Sequence, residues 1–172
     1  MKLFGLAGWS GSGKTTLIVR LIPELNRRGV AVSTVKHAHH AFDIDMPGKD
    51  SYEHRAAGAR EVVVSSINRW AIVHEHRGHA EASLAELLAL LAPVDLVLIE
   101  GFKHADYEKL EVHRPAVGKP MLWPSDPTIV GVASDAPLAG VSLPVLALGD
   151  VAAIADFVVA RCGLQRAASG VA

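Results

Sequence analysis

This chain of 172 residues has one cysteine, nearly balanced charges and no long unbroken apolar run. Its one cysteine, Cys162, cannot form a disulfide within the chain, so we expect a reducing compartment such as the cytoplasm. The formal net charge is −1, which gives no electrostatic reason to expect nucleic acid or an anionic membrane as a partner. The longest apolar run, residues 84–99, is broken by Glu86, Pro93 and Asp95, so we predict no transmembrane helix.

The chain does have enough apolar sequence for one packed core, since 50% of its residues are hydrophobic. Short apolar runs alternate with helical patterns, which predicts an α/β fold with a mostly parallel sheet. Residues 61–76 have the pattern of two strands with a tight turn near Asn68, and this predicts an antiparallel hairpin on one edge of the sheet. We predict a single domain over residues 1–163 and a frayed tail at 164–172. The predicted helices cover residues 15–29, 50–59 (capped by Asp50 or Ser51), 80–92 and 150–163.

The stretch Gly8-Trp-Ser-Gly-Ser-Gly-Lys-Thr15 fits the G-x-x-x-x-G-K-[ST] pattern of a phosphate-binding loop. An apolar strand precedes it and an amphipathic helix follows, which is the context that such a loop requires. Glycines let backbone N–H groups approach phosphate oxygens, and the helix N-terminus adds donors and partial positive charge. We therefore predict a three-layer α/β P-loop NTPase domain. Its nucleotide contacts are expected at Gly8, Ser10, Gly11, Ser12, Gly13, Lys14, Thr15 and Thr16.

A bound nucleotide also needs ligands for its metal ion. The hydroxyl of Thr15 can ligate Mg²⁺ in such a loop, and an acidic side chain is expected nearby. The apolar run at 95–100 offers Asp95 at its start and Glu100 at its end. Ligands of open parallel sheets gather at the carboxyl ends of the strands. We therefore predict Glu100 on the metal side and Asp95 at a solvated strand entry.

Charged and imidazole side chains are dense from Lys36 to Asp50, directly after the second predicted strand. At that edge of the sheet they are placed to contact the γ-phosphate, a water molecule, Mg²⁺ or a second substrate. Asp45 to Gly48 has the D-x-x-G spacing of a nucleotide-sensing switch, and an ordinary turn explains it almost as well. The histidines allow either a solvated loop or a zinc site. The zinc ligands would be His37 and His39 with His40 or Asp43.

Charged residues also follow the later predicted strands. Lys103, Lys109 and Arg114 are candidates for binding a second anionic ligand or for an exposed surface loop, and Lys103 is also a candidate nucleotide contact. Asp135 and Asp150 each end a predicted strand, and either carboxylate can accept hydrogen bonds from N1–H and N2–H of guanine. The N-K-x-D motif that usually contacts guanine is absent, and Asp150 is also well placed to cap the last helix.

Several stretches together resemble the molybdopterin-guanine dinucleotide biosynthesis protein B family, namely GWSGSGKTTL, TVKHAHHAFDIDMPGKDSYEHRAAGA, LVLIEGFK and LEVHR. The resemblance runs from the N-terminus to about Arg114 and continues more loosely to the final helix. It implies a dimeric P-loop GTP-binding protein that assists the protein attaching GMP to molybdopterin, with weak GTP hydrolysis at most. By position it implies that Gly8 to Thr16 hold the phosphates. The residues that it places around the nucleotide site are Lys36, His37, Asp45, Asp50 and Glu100.

Two other functions remain open from the sequence. A P-loop kinase of a small metabolite would need an arginine-rich lid, for which Arg55 and Arg60 are the nearby candidates. A GTP-gated metallochaperone would hold its metal with His37, His39 and His40. Under the resemblance, we expect the ligands GTP and Mg²⁺, a molybdopterin guanylyltransferase as partner and a homodimer, in the cytoplasm and without nucleic acid or membrane.

Overall fold

A computed structural model describes residues 1–38, 42–102 and 105–165 of the chain. Two compact units are distinguished, one of Met1–His37 with Leu88–Ala172 and one of Ala38–Leu87. The single domain at 1–163 stays a prediction, and most of the expected tail, 166–172, lies outside the described residues. In chain order the elements are β1 (Lys2–Ala7), α1 (Lys14–Arg27), β2 (Val32–Lys36), α2 (Asp50–Ala56), β3 (Glu61–Ser65), β4 (Trp70–His74), α3 (Leu84–Ala89), β5 (Leu96–Glu100), β6 (Lys109–His113), β7 (Ile129–Ser134), β8 (Val145–Ala147) and α4 (Val151–Arg161).

Six strands of the first unit form one sheet in the order β2-β5-β1-β6-β7-β8, and all neighbouring strands are parallel. The predicted α/β fold with a mostly parallel sheet is therefore confirmed. Strand β5 explains why the pattern could be recognised. Its residues from Leu96 to Ile99 are all 0% exposed, as expected of a parallel strand that is covered on both faces. No helix in the described part of the chain is long and apolar enough to cross a membrane.

Helices α1 and α4 pack on the same face of this sheet and against each other. The four-residue spacing of Leu17, Leu21 and Leu25 puts all three on the buried side of α1. They share one core cluster with Phe4 and Leu6 of β1. Each fully buried leucine contributes about 1.5–3 kcal/mol to folding, so α1 is firmly attached to the sheet. Its N-terminus is thereby fixed at the carboxyl edge of the strands.

The second unit contains the antiparallel hairpin of β3 and β4, with Ser65 opposite Trp70 and Glu61 opposite His74. A turn in which the N–H of Ser66 donates to the carbonyl oxygen of Arg69, at 2.8 Å, joins the two strands. The hairpin is thus confirmed, but it forms a two-stranded sheet of its own instead of an edge of the parallel sheet. Its strands belong to a separate compact unit and pair with each other, whereas the parallel sheet ends at β2 and β8.

Helix α2 begins one residue earlier than its expected cap would allow. Asp50 is already helical, and Lys49 takes the cap position without a side-chain hydrogen bond. The prediction of a cap at Asp50 or Ser51 is therefore wrong. For Ser51 the reason is local, because its hydroxyl donates to Oδ1 of Asp45 at 2.8 Å and so does not cap the helix.

Candidate nucleotide-binding site

The glycine-rich loop connects β1 to α1 at the carboxyl edge of the parallel sheet. Gly8, Gly11 and Gly13 have φ values of 144°, 81° and 98°, in the region that favours glycine. A Cβ atom on Gly8 would lie 2.5 Å from the carbonyl oxygen of Val112 and 2.7 Å from Oγ of Ser12. Only glycine therefore fits where the chain leaves β1, and contact with β6 determines the path of the loop.

Lys14 and Ser12 give this loop its polar groups. The Lys14 ammonium donates to the carbonyl oxygens of Gly8 at 2.9 Å and Trp9 at 3.0 Å, so the cation is held over the loop. Ser12 is 2% exposed, and its Oγ has no hydrogen-bond partner in the described part of the chain. A buried hydroxyl without a partner and a cation at the same loop are groups that phosphate oxygens would satisfy. The residues present therefore fit a bound polyphosphate.

The N-terminus of α1 adds backbone donors to the site. Gly13 caps the helix without a side-chain hydrogen bond, and the first turn contains no acidic side chain. The first helical hydrogen bond runs from the N–H of Leu17 to the carbonyl oxygen of Gly13 at 2.9 Å. The preceding N–H groups have no acceptor within the helix and carry its partial positive charge. Since the side chains of Thr15 and Thr16 are exposed, this end of the helix is open to an anion.

Glu100 lies at the same edge of the sheet as the loop. It ends β5, where it is the register neighbour of Leu6 on β1 and of Lys36 on β2. Asp95 lies at the opposite edge, and its Oδ2 accepts a hydrogen bond from the N–H of Ala31 at 2.8 Å. The strand direction assumed from the sequence is therefore correct. The role of Glu100 as a metal ligand stays a prediction.

The turn after β5 has a conformation that the sequence does not reveal. Gly101 has φ 97°, and Phe102, which is not a glycine, has φ 47°. The N–H of His37 donates to the carbonyl oxygen of Glu100 at 2.8 Å, and the His37 and Phe102 rings are 4.8 Å apart. The Tyr107 hydroxyl donates to the carbonyl oxygen of Gly101 at 2.9 Å, and burial raises the pKa of Tyr107 to about 12. This hydroxyl therefore stays protonated and holds the turn beside His37.

On the other side of β1, Arg114 and Asp135 directly follow β6 and β7. Nε of Arg114 donates to Oδ2 of Asp135 at 2.7 Å, and Cδ of Arg114 lies 3.9 Å from where a Cβ on Gly13 would be. Lys109 differs from Arg114, because it is only 2% exposed and donates to the carbonyl oxygen of Ala105 at 3.1 Å. The prediction of Lys109 as an anion ligand is wrong, because its ammonium is buried and already donates hydrogen bonds to oxygen atoms of the fold.

A buried carboxylate supports the loop from this side, and sequence reasoning missed it. Glu111 is 0% exposed and accepts hydrogen bonds from the N–H groups of Leu122 at 2.8 Å and Trp123 at 2.9 Å. Nε1 of Trp9 then donates to the carbonyl oxygen of Pro120 at 2.8 Å. The segment that Glu111 anchors therefore holds the tryptophan of the phosphate loop. In the sequence, Lys109, Glu111 and His113 alternate with Leu110 and Val112, a pattern that indicates an exposed Glu111, so no local signal pointed to its burial.

Asp45 and Asp50 belong to the second unit. Oδ2 of Asp45 lies 3.2 Å from Nε of Arg55, which also contacts Asp43 at 2.8 Å and Glu75 at 2.6 Å. The hydrogen bond from Arg55 lowers the pKa of Asp43. Arg55, one of the two candidates for a kinase lid, is thus held by three carboxylates. Asp50 is the first residue of α2.

Three predicted residues, Lys103, His39 and His40, lie outside the described residues. The zinc site and the metallochaperone function that depend on these histidines therefore stay predictions. Within residues 1–38, 42–102 and 105–165, no group of three or more His, Cys, Asp or Glu side chains is arranged to hold a metal ion.

Comparison with known proteins agrees with this geometry. The chain is 43% identical over 160 residues to the molybdopterin-guanine dinucleotide biosynthesis adapter protein of Escherichia coli, covering 91% of each chain. It is 38% identical over 156 residues to the adapter protein of Haemophilus influenzae, covering 91% of this chain and 86% of that one. The crystal structure of a MobB homologue from Bacillus stearothermophilus superposes with a TM-score of 0.70 at 26% identity, over 95% of this chain and 99% of that chain. The family model for molybdopterin guanine dinucleotide synthesis protein B matches residues 3–135, and this chain therefore belongs to the MobB family.

Proposed function

We propose that this chain binds GTP with Mg²⁺ at its phosphate loop and acts as an adapter in the synthesis of molybdopterin guanine dinucleotide. The observation that carries the proposal is a polyphosphate-compatible loop beside Glu100, in a chain whose relatives are named as adapter proteins of that synthesis. An adapter implies other biosynthesis proteins as partners. We propose that the partner here is a molybdopterin guanylyltransferase, with the adapter acting as a homodimer in the cytoplasm.

Within the site, the N–H groups of the loop and of the first turn of α1 would surround the phosphates. Lys14 would move its ammonium from the loop carbonyls, 2.9 and 3.0 Å away, to phosphate oxygens. Thr15 and Glu100 would hold Mg²⁺, which when bound offsets the charge of the phosphates. The residues proposed to border the nucleotide are Lys36, His37, Asp45, Asp50 and Lys103.

We propose an adapter and not a fast GTPase because the described arginines of the first unit are already engaged. Rapid hydrolysis needs a positioned water and a cation on the transition-state charge. Arg20 donates to the carbonyl oxygen of Gly149 at 3.0 Å, and Arg28 contacts two carboxylates. Arg114 is paired with Asp135. A guanidinium for the transition state would therefore have to come from the second unit, from a partner or from a rearrangement of these contacts.

The test is calorimetric titration of the purified chain with GTP, ATP and molybdopterin, each with and without Mg²⁺. The proposal expects Mg²⁺-dependent binding of GTP. If neither GTP nor ATP bound, the nucleotide site would be refuted. Binding of ATP but not GTP would favour the small-metabolite kinase. Co-purification of the guanylyltransferase with the chain, in the presence and absence of GTP, tests the adapter role separately.

A further inference from the structure

The strand order divides the surroundings of the phosphate loop into two sides. The loop follows β1, which lies between β5 and β6. On the β5 side are Glu100 and Lys36, the groups suited to Mg²⁺ and the terminal phosphate. A nucleotide whose terminal phosphate faces β5 has room to extend its nucleoside to the opposite side of the loop, toward β6 and β7. Under the proposed GTP binding, on which this inference rests, the base therefore approaches the residues that follow those two strands.

Those residues include one ion pair, formed by Arg114 after β6 and Asp135 after β7. Nε of Arg114 is 2.7 Å from Oδ2 of Asp135, and the two side chains are 45% and 34% exposed. The pair is next to the loop, since Cδ of Arg114 is 3.9 Å from where a Cβ on Gly13 would be. The chain around Asp135 is fixed, because the hydroxyl of Ser134 accepts a hydrogen bond from the N–H of Ala136 at 3.2 Å. The carboxylate is thus held in place and accessible.

We infer that Asp135, positioned by Arg114, recognises the guanine base of the bound nucleotide. The Watson–Crick edge of guanine presents N1–H and N2–H as donors and O6 as an acceptor. A carboxylate accepts from both donors, and a guanidinium beside it can donate to O6. Adenine would place its N1 lone pair against the carboxylate, which is repulsive. The pair therefore complements guanine and opposes adenine, and it replaces the N-K-x-D motif that this sequence lacks.

The rival aspartate, Asp150, has a different task. It is the N-cap of α4, and its Oδ1 accepts a hydrogen bond from the N–H of Ala153 at 3.0 Å. Asparagine is an equally good cap, so Asp150→Asn preserves this contact. Asp150→Asn is therefore a control in which the same chemical change is made at the end of a neighbouring strand.

The first test uses the unmodified chain and needs no variant. Its affinity for GTP, ITP, XTP and ATP, each with Mg²⁺, is measured by competition against a fluorescent GTP analogue or, if that does not bind, by calorimetry. ITP lacks the N2 amine, so its affinity should be about ten- to a hundredfold below that of GTP, as expected for one hydrogen bond to a charged group. XTP carries a carbonyl oxygen at that position and should bind more weakly still. Equal binding of all four would refute guanine recognition and leave triphosphate binding intact, whereas binding of none would refute the nucleotide site as well.

The second test compares Asp135→Asn, Arg114→Ala and Asp150→Asn, with thermal melting to verify folding. The amide of Asp135→Asn can donate to O2 of xanthine, so its preference should move from GTP toward XTP by about a hundredfold or more, two hydrogen bonds being altered. Arg114→Ala should reduce the ratio of GTP to ATP affinity without a gain for XTP. Asp150→Asn should keep the GTP preference. An unchanged GTP preference in Asp135→Asn, or a switch in Asp150→Asn instead, would overturn the inference.

Discussion

Replacing Lys14 with alanine should remove most of the triphosphate affinity and little of the stability. The Lys14 ammonium donates hydrogen bonds to two carbonyl oxygens of its own loop. A hydrogen bond between charged groups contributes about 1.5–3 kcal/mol, so removing the ammonium from the phosphate should weaken binding by about ten- to a hundredfold. In the free protein, the substitution removes the hydrogen bonds from the ammonium to the Gly8 and Trp9 carbonyl oxygens at a half-buried site, where water can take its place, so the net loss of stability should be about 1–2 kcal/mol. The melting temperature should therefore fall by only a few degrees, at about 2–4 °C per kcal/mol for a chain of this size.

Calorimetric titration with GTP and Mg²⁺ measures the first effect, and thermal melting measures the second. The matched control is Lys119→Ala, which removes an exposed ammonium 5.8 Å from the ring of Trp9 in the same loop. Because a surface charge contributes less than about 0.5 kcal/mol, this control should change affinity by about twofold at most. Unchanged binding by Lys14→Ala would refute the phosphate-loop reasoning. An equal loss of affinity in Lys119→Ala would show that general positive charge, and not the loop, attracts the nucleotide.

Three further outcomes follow from the same geometry. Glu100→Gln should weaken the Mg²⁺-dependent part of nucleotide binding by about ten- to a hundredfold. Asp95→Asn should not weaken it, because Asp95 lies at the opposite edge of the sheet. A larger effect of Asp95→Asn in the same titration would contradict the metal assignment. Gly8→Ala should lower the melting temperature more than Gly11→Ala. A Cβ on Gly8 would lie 2.5 Å from the carbonyl oxygen of Val112, whereas one on Gly11 would have no atom within 4 Å. Equal falls in melting temperature would show that the backbone conformation of each glycine, and not the contact with Val112, determines the cost. Steady-state phosphate release from GTP by the chain alone should stay below about 1 s⁻¹, the lower end of common enzyme rates; a faster rate would favour an autonomous enzyme.

Local patterns predicted the framework of this site because they report on burial. The apolar run of β5, the four-residue spacing in α1 and the glycines before Lys14 each have a direct physical meaning within a few residues. Helix boundaries were less predictable, as the helix expected at 80–92 shows. It forms only from Leu84 to Ala89. Its late start has a local cause, because the hydroxyl of Ser83 accepts from the N–H of Glu86 at 3.3 Å and Glu86 accepts from the N–H of Ser83 at 2.8 Å. This capping box is visible in the sequence and marks the true start of the helix.

Contacts between distant parts of the chain could not be predicted in the same way. Arg114 and Asp135 are 21 positions apart, and nothing local indicates that they pair. Lys109 and Arg114 both follow Glu100 within a polar stretch of sequence, yet the first is buried and the second exposed. The difference depends on where along β6 each side chain lies and on what covers it there. A pattern of charges after a strand predicts a functional edge but not which of the charges reach it.

The connection between β5 and β6 links the two sides of the site. These strands are consecutive in the chain yet flank β1, so the residues between them must cross β1. They cross at Gly5, where a Cβ would lie 2.4 Å from the ring of Tyr107, and the N–H of Gly5 donates to the carbonyl oxygen of Glu108 at 2.8 Å. Gly5 faces away from α1, because its neighbours Phe4 and Leu6 face the helical core. Tyr107 and Glu108 therefore lie against the face of β1 opposite that core, and the hydroxyl of Tyr107 also holds the turn after β5 through the carbonyl oxygen of Gly101. The described residues of this connection therefore link the proposed metal side and the proposed base side of the loop through β1.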